Sequence, residues 1–134
     1  MSDPSLDLQG AIVAALKADP AVTALISGRV YDTVPAQAAF PYVTIGEDQT
    51  LPAWADCYDG ADVILTLHAW SRAVGYPEVK RLAAAVSAAL DGVEVTIKTI
   101  RLVDISWTGS RFLRDPDGNT RHAVIGFRAL TEPT

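Results

Sequence analysis

This sequence has a single cysteine, no long apolar run and no excess of cations, and each of these features narrows the classes of protein to which the chain can belong. Cys57 is the only cysteine, so the chain forms no internal disulfide, which fits a reducing compartment. No apolar run approaches the ~20 residues of a membrane helix, and residues 1–5 lack the basic and apolar regions of a secretory signal. The sequence therefore predicts a soluble protein made in the cytoplasm.

Basic residues are outnumbered by acidic ones. The chain has 11 Lys and Arg against 16 Asp and Glu, a formal net charge of −5. Because phosphate binding needs clustered cations, this balance disfavours a nucleic-acid clamp. A mildly acidic surface repels DNA, which suits a channel through which DNA slides without binding.

Motifs for catalysis and cofactor binding are also missing. There is no G-x-S-x-G elbow, no glycine-rich phosphate loop that opens a helix, and no zinc-type spacing of Cys and His. Cys57 lies among acids in Asp56-Cys57-Tyr58-Asp59, where negative charge disfavours the thiolate. We predict that the chain is not an enzyme and needs no cofactor; a small hydrolase using Cys57, with His68 as base, or the acidic loop is the alternative.

Three aspartates, Asp56, Asp59 and Asp62, follow one another at intervals of three, with Glu47 and Asp48 upstream. Hard cations such as Ca²⁺ bind carboxylate clusters, but this pattern lacks the alternating ligands and the glycine of a calcium loop. The sequence predicts no metal site here, and it favours a solvated or interface-facing acidic loop over residues 48–60.

The residues that are present predict one α+β domain spanning 1–134. A chain of 134 residues with 49% hydrophobic side chains is long enough to bury a core without a disulfide or a metal. Asp3-Pro4 and Asp19-Pro20 are helix starts, and Gly28 is expected to end the second helix in a left-handed conformation. A third helix is indicated by Gly75 and Pro77 before it, Gly92 after it, and an apolar stripe at helical spacing: Val79, Leu82, Ala83, Val86 and Leu90.

Strand signals occupy much of the remaining chain. They lie at residues 29–32, 41–47, 62–70, 93–97, 100–114 and 120–130. Helices do not alternate regularly with these strands, so we predict a mainly antiparallel sheet with the helices on one face. The last two strands are joined by the turn Asp115-Pro116-Asp117-Gly118, which makes a long C-terminal β-hairpin expected to project beyond the core.

The strand at 62–70 is apolar on both of its faces, which predicts a central strand or one whose outer face meets a partner. The hairpin end carries the cations Arg111, Arg114 and Arg121 around Asp115 and Asp117. Their charges can form cross-strand ion pairs, or they can contact a neighbouring subunit.

The acidic loop at 48–60 adds a tryptophan, Trp54, between Pro52 and Cys57. A tryptophan in a polar loop is a common interface anchor. The predicted subunit or partner interface therefore comprises Trp54, Asp56, Asp59, Arg111, Arg114, Asp115, Asp117 and Arg121.

Several segments, taken in order along most of the chain, resemble a known family. They are the opening helix with Asp19-Pro20, then Gly28-Arg29-Val30-Tyr31, Pro41-Tyr42-Val43-Thr44-Ile45-Gly46, Leu67-His68-Ala69-Trp70-Ser71-Arg72 with Gly75 and the helix Glu78 to Leu90, and finally Arg114-Asp115-Pro116-Asp117-Gly118 with Arg121-His122-Ala123. This arrangement resembles the tail-terminator, or tail-completion, proteins of long-tailed phages and gene transfer agents.

The resemblance implies a structural protein of a virion or gene-transfer-agent particle, made in the bacterial host cytoplasm. It further implies a homo-oligomer, a hexameric ring that terminates the tail tube and joins it to the head-side neck. The implied partners are the tail tube protein and the neck stopper protein, with DNA passing through the ring without specific binding and with no membrane. An acidic lumen is expected. The alternative is another neck component, a stopper or an adaptor. The family supplies no active-site residues.

Overall fold

A computed structural model describes residues 3–55 and 58–134 of the chain. Eight elements follow one another in the order α1 (Ser5–Ala18), α2 (Pro20–Ile26), β1 (Val30–Tyr31), β2 (Tyr42–Ala55), β3 (Tyr58–Ser71), α3 (Pro77–Leu90), β4 (Ile100–Arg114) and β5 (Arg121–Pro133).

The strands form one five-stranded sheet in the order β1-β2-β3-β5-β4. Only the short β1 pairs in parallel with its neighbour; the other three pairings are antiparallel. The predicted α+β fold with a long C-terminal hairpin is confirmed, since β4 and β5 pair from Arg114↔Arg121 to Ile100↔Pro133. The strand at 62–70 is central, as its two apolar faces predicted.

One face of the sheet packs against all three helices and forms the core. Alternate residues of β3 and β5 point into it because side chains alternate across a strand. The largest fully buried side chains include Leu8, Leu16, Ile26, Val63, Leu67, Leu82, Leu90, Ile105, Ile125 and Phe127. The predicted stripe of α3 is buried throughout, and Gly92 adopts φ +69 just after the helix, so this helix and its stop are confirmed.

The two N-terminal helices begin near the predicted positions but differ in detail. Asp19 caps α2, because its Oδ1 accepts hydrogen bonds from the backbone N–H groups of Ala21 and Val22, both at 3.0 Å. Helix α1 begins at Ser5, one residue later than Pro4 predicted. The left-handed residue after α2 is Ser27, with φ +56, and not Gly28. Among the described helices none is alone long and apolar enough to cross a membrane; α1 and α2 reach that length and composition only as a pair bent by 80°.

The prediction of a loop at 48–60 is wrong over its described residues. Strand β2 runs on to Ala55 and β3 begins at Tyr58, with rungs from Asp48↔Leu65 to Ala55↔Tyr58. The loop was predicted partly because of Pro52. Strand β1 pairs only with Val43 and Thr44 of β2, so Pro52 lies on a sheet edge, where proline is tolerated.

Residues 93–97 form no strand, contrary to the prediction. Instead, the two residues that follow α3 form hydrogen bonds with the outer edge of strand β4 near its middle. The backbone N–H of Gly92 donates to the carbonyl oxygen of Ile105 at 2.7 Å, and Asp91 Oδ1 accepts from the backbone N–H of Trp107 at 2.9 Å. These two bonds satisfy edge groups that an additional strand would otherwise have paired.

Candidate subunit interface

The helices of the described chain lie on one side of the sheet, and no helix among the described residues covers the other face. We call it the open face. It is formed by side chains that alternate with the core residues of each strand, chiefly Thr44, Leu51, Ile64, Thr66, His68, Trp70, Arg111, Leu113, His122, Val124, Arg128 and Leu130. A sheet that is apolar on both faces has more apolar surface than its own helices cover.

An aromatic and histidine cluster occupies one end of the open face. The rings of Trp70 and His122 stack with centroids 3.8 Å apart and planes 9° from parallel. His68 Nδ1 and His122 Nε2 lie 2.6 Å apart, so the N–H of one imidazole donates a hydrogen bond to the ring nitrogen of the other. Trp70 Nε1 donates to Thr44 Oγ1 at 3.0 Å. This end of the face is therefore rigid, and its polar atoms are paired.

Two carboxylates bracket the histidine pair. Glu47 Oε2 lies 3.8 Å from His68 Nε2, and Asp115 Oδ1 lies 3.9 Å from His122 Nδ1. Burial is the main cause that lowers the pKa of His122 below its ordinary value; His68 and Arg111 lower it further, and Asp115 opposes them. Burial therefore disfavours the protonated form of His122.

The other end of the open face carries apolar side chains around one ion pair. Leu51 and Leu130 flank Asp62 on the same rung, and Ile64 lies two residues further along β3. Leu51 is 39% and Ile64 is 44% exposed. Arg128 Nε donates to Asp62 Oδ1 at 2.8 Å, and hydrogen bonding to this guanidinium lowers the pKa of Asp62. A paired charge within exposed apolar surface is typical of a protein-contact patch.

The three predicted hairpin arginines do not lie on one face. Arg114 and Arg121 are directly opposite each other on β4 and β5 and lie on the helix side of the sheet, where the Arg121 guanidinium is 5.3 Å from the Tyr76 ring centroid. Arg111 is on the open face, opposite Val124. None of the three forms an ion pair with a residue that the structure describes, so cross-strand ion pairs do not explain them.

The acids of the turn serve the turn itself. Asp117 Oδ1 accepts from the backbone N–H groups of Asn119 and Thr120 at 2.8 and 2.9 Å, and hydrogen bonding, chiefly to the Thr120 backbone, lowers its pKa. Gly118 takes φ +76, as the turn predicted. The C-terminal hairpin was expected to project beyond the core, but it does not. Strand β5 pairs with β3 as far as Ser71↔Arg121, so the end of the hairpin stays within the sheet.

The end that leaves the sheet belongs to β2 and β3. Their last three rungs, from Ala53↔Gly60 to Ala55↔Tyr58, lie past the last β3–β5 rung at Ala61↔Thr131. We call this end the hairpin arm. Asp59 is exposed on it, and Trp54 pairs with Asp59 across the arm; Asp56 lies outside the described residues.

Of the residues of the hydrolase and metal alternatives, those that the structure describes are not brought together. His68 belongs to the histidine pair, and Cys57 lies outside the described residues. Asp59 and Asp62 are three apart on a strand, so they point to opposite faces. Within residues 3–55 and 58–134, no three His, Cys, Asp or Glu side chains are grouped so as to hold a metal ion.

Neither the hairpin arm nor the pairing of the two histidines was predicted from the sequence. The sequence does place His68 and His122 on the same side of the sheet if 62–70 and 120–130 are neighbouring antiparallel strands. The register that makes the two histidines adjacent is known only from the fold.

These features define a small α+β domain with an uncovered apolar sheet face and a hairpin arm that extends past the rest of the sheet. The family model described as tail completion protein gp17 matches residues 10–132. The chain therefore belongs to the tail completion protein gp17 family, and the resemblance stated from the sequence is confirmed. It is a structural protein of a phage or gene-transfer-agent virion.

Two solved structures are similar to the chain. A chain in the virion of a native gene transfer agent particle has 30% sequence identity and a TM-score of 0.90, with coverage of 98% of this chain and 99% of that chain. The gp17 protein of bacteriophage SPP1 has 21% identity and a TM-score of 0.60, with coverage of 93% and 88%; this second likeness concerns the fold alone. No curated protein sequence gives a significant match.

Proposed function

We propose that this protein forms a ring that terminates the tail tube and joins it to the head-side neck, with DNA passing through the ring. The role is structural and needs no cofactor. Tail completion is the role that the family's description gives, and the similar chain of the gene transfer agent particle comes from an assembled virion. A hexamer is the ring size that the resemblance implies.

The observation that carries the proposal is the open face. Its apolar side chains Leu51, Ile64 and Leu113 are between 36% and 44% exposed, and they lie on a rigid sheet and not on loops. Burying such side chains contributes about 25 cal/mol per Å², so copies and partners that cover the sheet gain stability. A ring of identical subunits joins two different surfaces of each copy, head to tail.

The surface charge fits a passage for DNA. Acidic side chains outnumber the cations, for a net charge of −5, and Arg128 on the open face is paired with Asp62, so the protomer as a whole disfavours DNA binding. We propose that the lumen is acidic or neutral and that DNA slides past it; a strongly basic lumen in an assembled ring would contradict this.

The partners of the ring are the tail tube protein on one side and the neck stopper protein on the other. Co-sedimentation with purified tail tubes tests the first contact directly. Binding to the tubes is expected, and binding only to portal-side neck proteins would identify the chain as a stopper or adaptor, the alternative component.

A small hydrolase is the alternative from another class. Its candidate nucleophile is Cys57, so Cys57→Ser is expected to leave particle assembly and infectivity or transfer unchanged. Loss of a measured hydrolytic activity in this variant, with the fold intact, would favour the enzyme.

A further inference from the structure

The basic end of the protomer, formed by Arg72, Arg114 and Arg121, has cations without described counter-ions. Arg114 and Arg121 are direct cross-strand neighbours, and like charges in this position repel. The nearby acids are engaged elsewhere: Asp117 holds the turn, and Glu78 Oε1 accepts from Ser71 Oγ at 2.7 Å. Neither Arg114 nor Arg121 therefore forms an ion pair within the described chain.

One hydrogen-bond donor of the Arg121 side chain is also left without a partner among the described residues. Its Nε is buried and has no hydrogen-bond partner among the described residues, while an Nη of the same side chain donates to the Gly118 carbonyl oxygen at 3.3 Å. Leaving a buried charged donor unpaired destabilises the protein. Arg72 and Arg121 line a cleft of about 190 Å³ together with Gly75, Gly118 and Asn119. An incoming anion would find two guanidinium groups there.

The opposite charge lies at the opposite end of the sheet. Asp59 is exposed on the hairpin arm and forms no ion pair with any residue in the described ranges. Strand β3 runs from the arm to the basic end over 14 residues, roughly 45 Å at about 3.3 Å per residue. One protomer therefore presents an acid and a set of cations that cannot reach each other within the same copy.

We infer that the basic end of one copy binds the Asp59 carboxylate on the hairpin arm of the next copy, and that this contact propagates the ring. The inference rests on the proposed ring and names one of its contacts. A guanidinium and a carboxylate make a bidentate, charge-assisted pair. Two complementary patches at opposite ends make a heterologous contact, the kind that closes rings.

Charge reversal tests this contact in the full-length protein. Wild type, Arg114→Glu, Asp59→Arg and the double variant are each mixed with purified tail tubes, and the mass of the bound or free oligomer is measured by native mass spectrometry. Each single variant is expected to lose at least tenfold in assembly, and the double variant to recover most of it, because the swap restores opposite charges. Arg81→Glu, an exposed arginine of α3 with no described ion pair, is the matched control and is expected to assemble normally.

The outcomes separate the contact from the ring. Wild type that never exceeds one copy, with or without tubes, would overturn the proposed ring and the contact with it. A wild-type ring that Arg114→Glu leaves intact, or single variants that the swap does not rescue, would overturn the contact alone. A DNA phosphate is the other anion that could bind here; loss of DNA retention in Arg114→Glu with an unchanged ring would assign the basic end to DNA instead.

Discussion

At the scale of single residues, the backbone of Gly46 packs closely against the His68 side chain on the open face. A Cβ built on Gly46 would lie 2.5 Å from His68 Nε2 and 2.8 Å from the backbone oxygen of Thr66. The register of β2 shifts between Ile45 and Asp48, so Gly46 sits in a bulge, where close backbone approach favours glycine.

Gly46→Ala is expected to destabilise the protein by about 1–3 kcal/mol, because a backbone oxygen cannot move aside as a side chain can. The free energy of unfolding in urea measures this. Gly10→Ala is the matched control: Gly10 is exposed within α1 and has nothing within 4 Å of the added Cβ, so the same change there should stabilise by about 0.5–1 kcal/mol. Equal effects at the two sites would contradict the described packing.

His122 makes stability depend on pH. Burial, and then His68, lower its pKa in the folded state below the ordinary value of 6.5, so near and below that pH the unfolded chain binds more protons than the folded one. Stability therefore rises with pH through this window and falls as the pH drops below about 6.5.

The pH effect is measured as the urea midpoint at pH 7.5 and at pH 5.5. Wild type is expected to have the lower midpoint at pH 5.5, and His122→Gln is expected to shrink that difference even though it removes the stacking on Trp70. A His122→Gln protein with an undiminished acid loss would show that another group carries it.

At the scale of elements, the edge strand β4 depends on the residues that follow α3. Asp91 Oδ1 accepts the outward N–H of Trp107 at 2.9 Å, which blunts an edge that would otherwise pair with foreign strands. Asp91→Ala is expected to cost about 1 kcal/mol and to increase aggregation on warming. Chemical denaturation and light scattering measure the two effects; Asp104→Ala, an exposed β4 acid with no described hydrogen bond, should change neither.

The elements that local chemistry specifies were predicted from the sequence. The helix α3 was identified because its stripe at Val79, Leu82 and Val86 and its Gly92 stop agree, and β3 because its two apolar faces required burial on both sides. The hairpin arm was not identified, because Pro52 and the acids are loop residues by propensity, and only pairing with β3 holds them extended. Propensity is a weak guide where long-range pairing decides.

The candidate interface residues were named from the sequence, but their arrangement in space was not predicted. The basic character of the hairpin end followed from Arg114 and Arg121, but their separation from Arg111 depends on strand register, which one residue of slip would reverse. The pairing of His68 with His122 likewise needs the β3–β5 register. Composition gives the chemistry of a surface, and topology decides which groups share it.

At the scale of the whole molecule, the protomer has a helix-covered face, an open apolar face, and ends of opposite charge. This asymmetry suits a subunit that meets copies of itself on two sides and other tail proteins above and below. A monomer that acts on small molecules would instead concentrate its polar groups in one deep cleft.

The central claim is that these surfaces assemble into a ring on the tail tube. The most direct test is the mass of the purified protein with and without tail tubes, measured together with negative-stain images of the tube ends. A closed ring of copies capping the tubes is the expected result. A protein that stays a single copy in both conditions, and leaves the tube ends bare, would contradict the account.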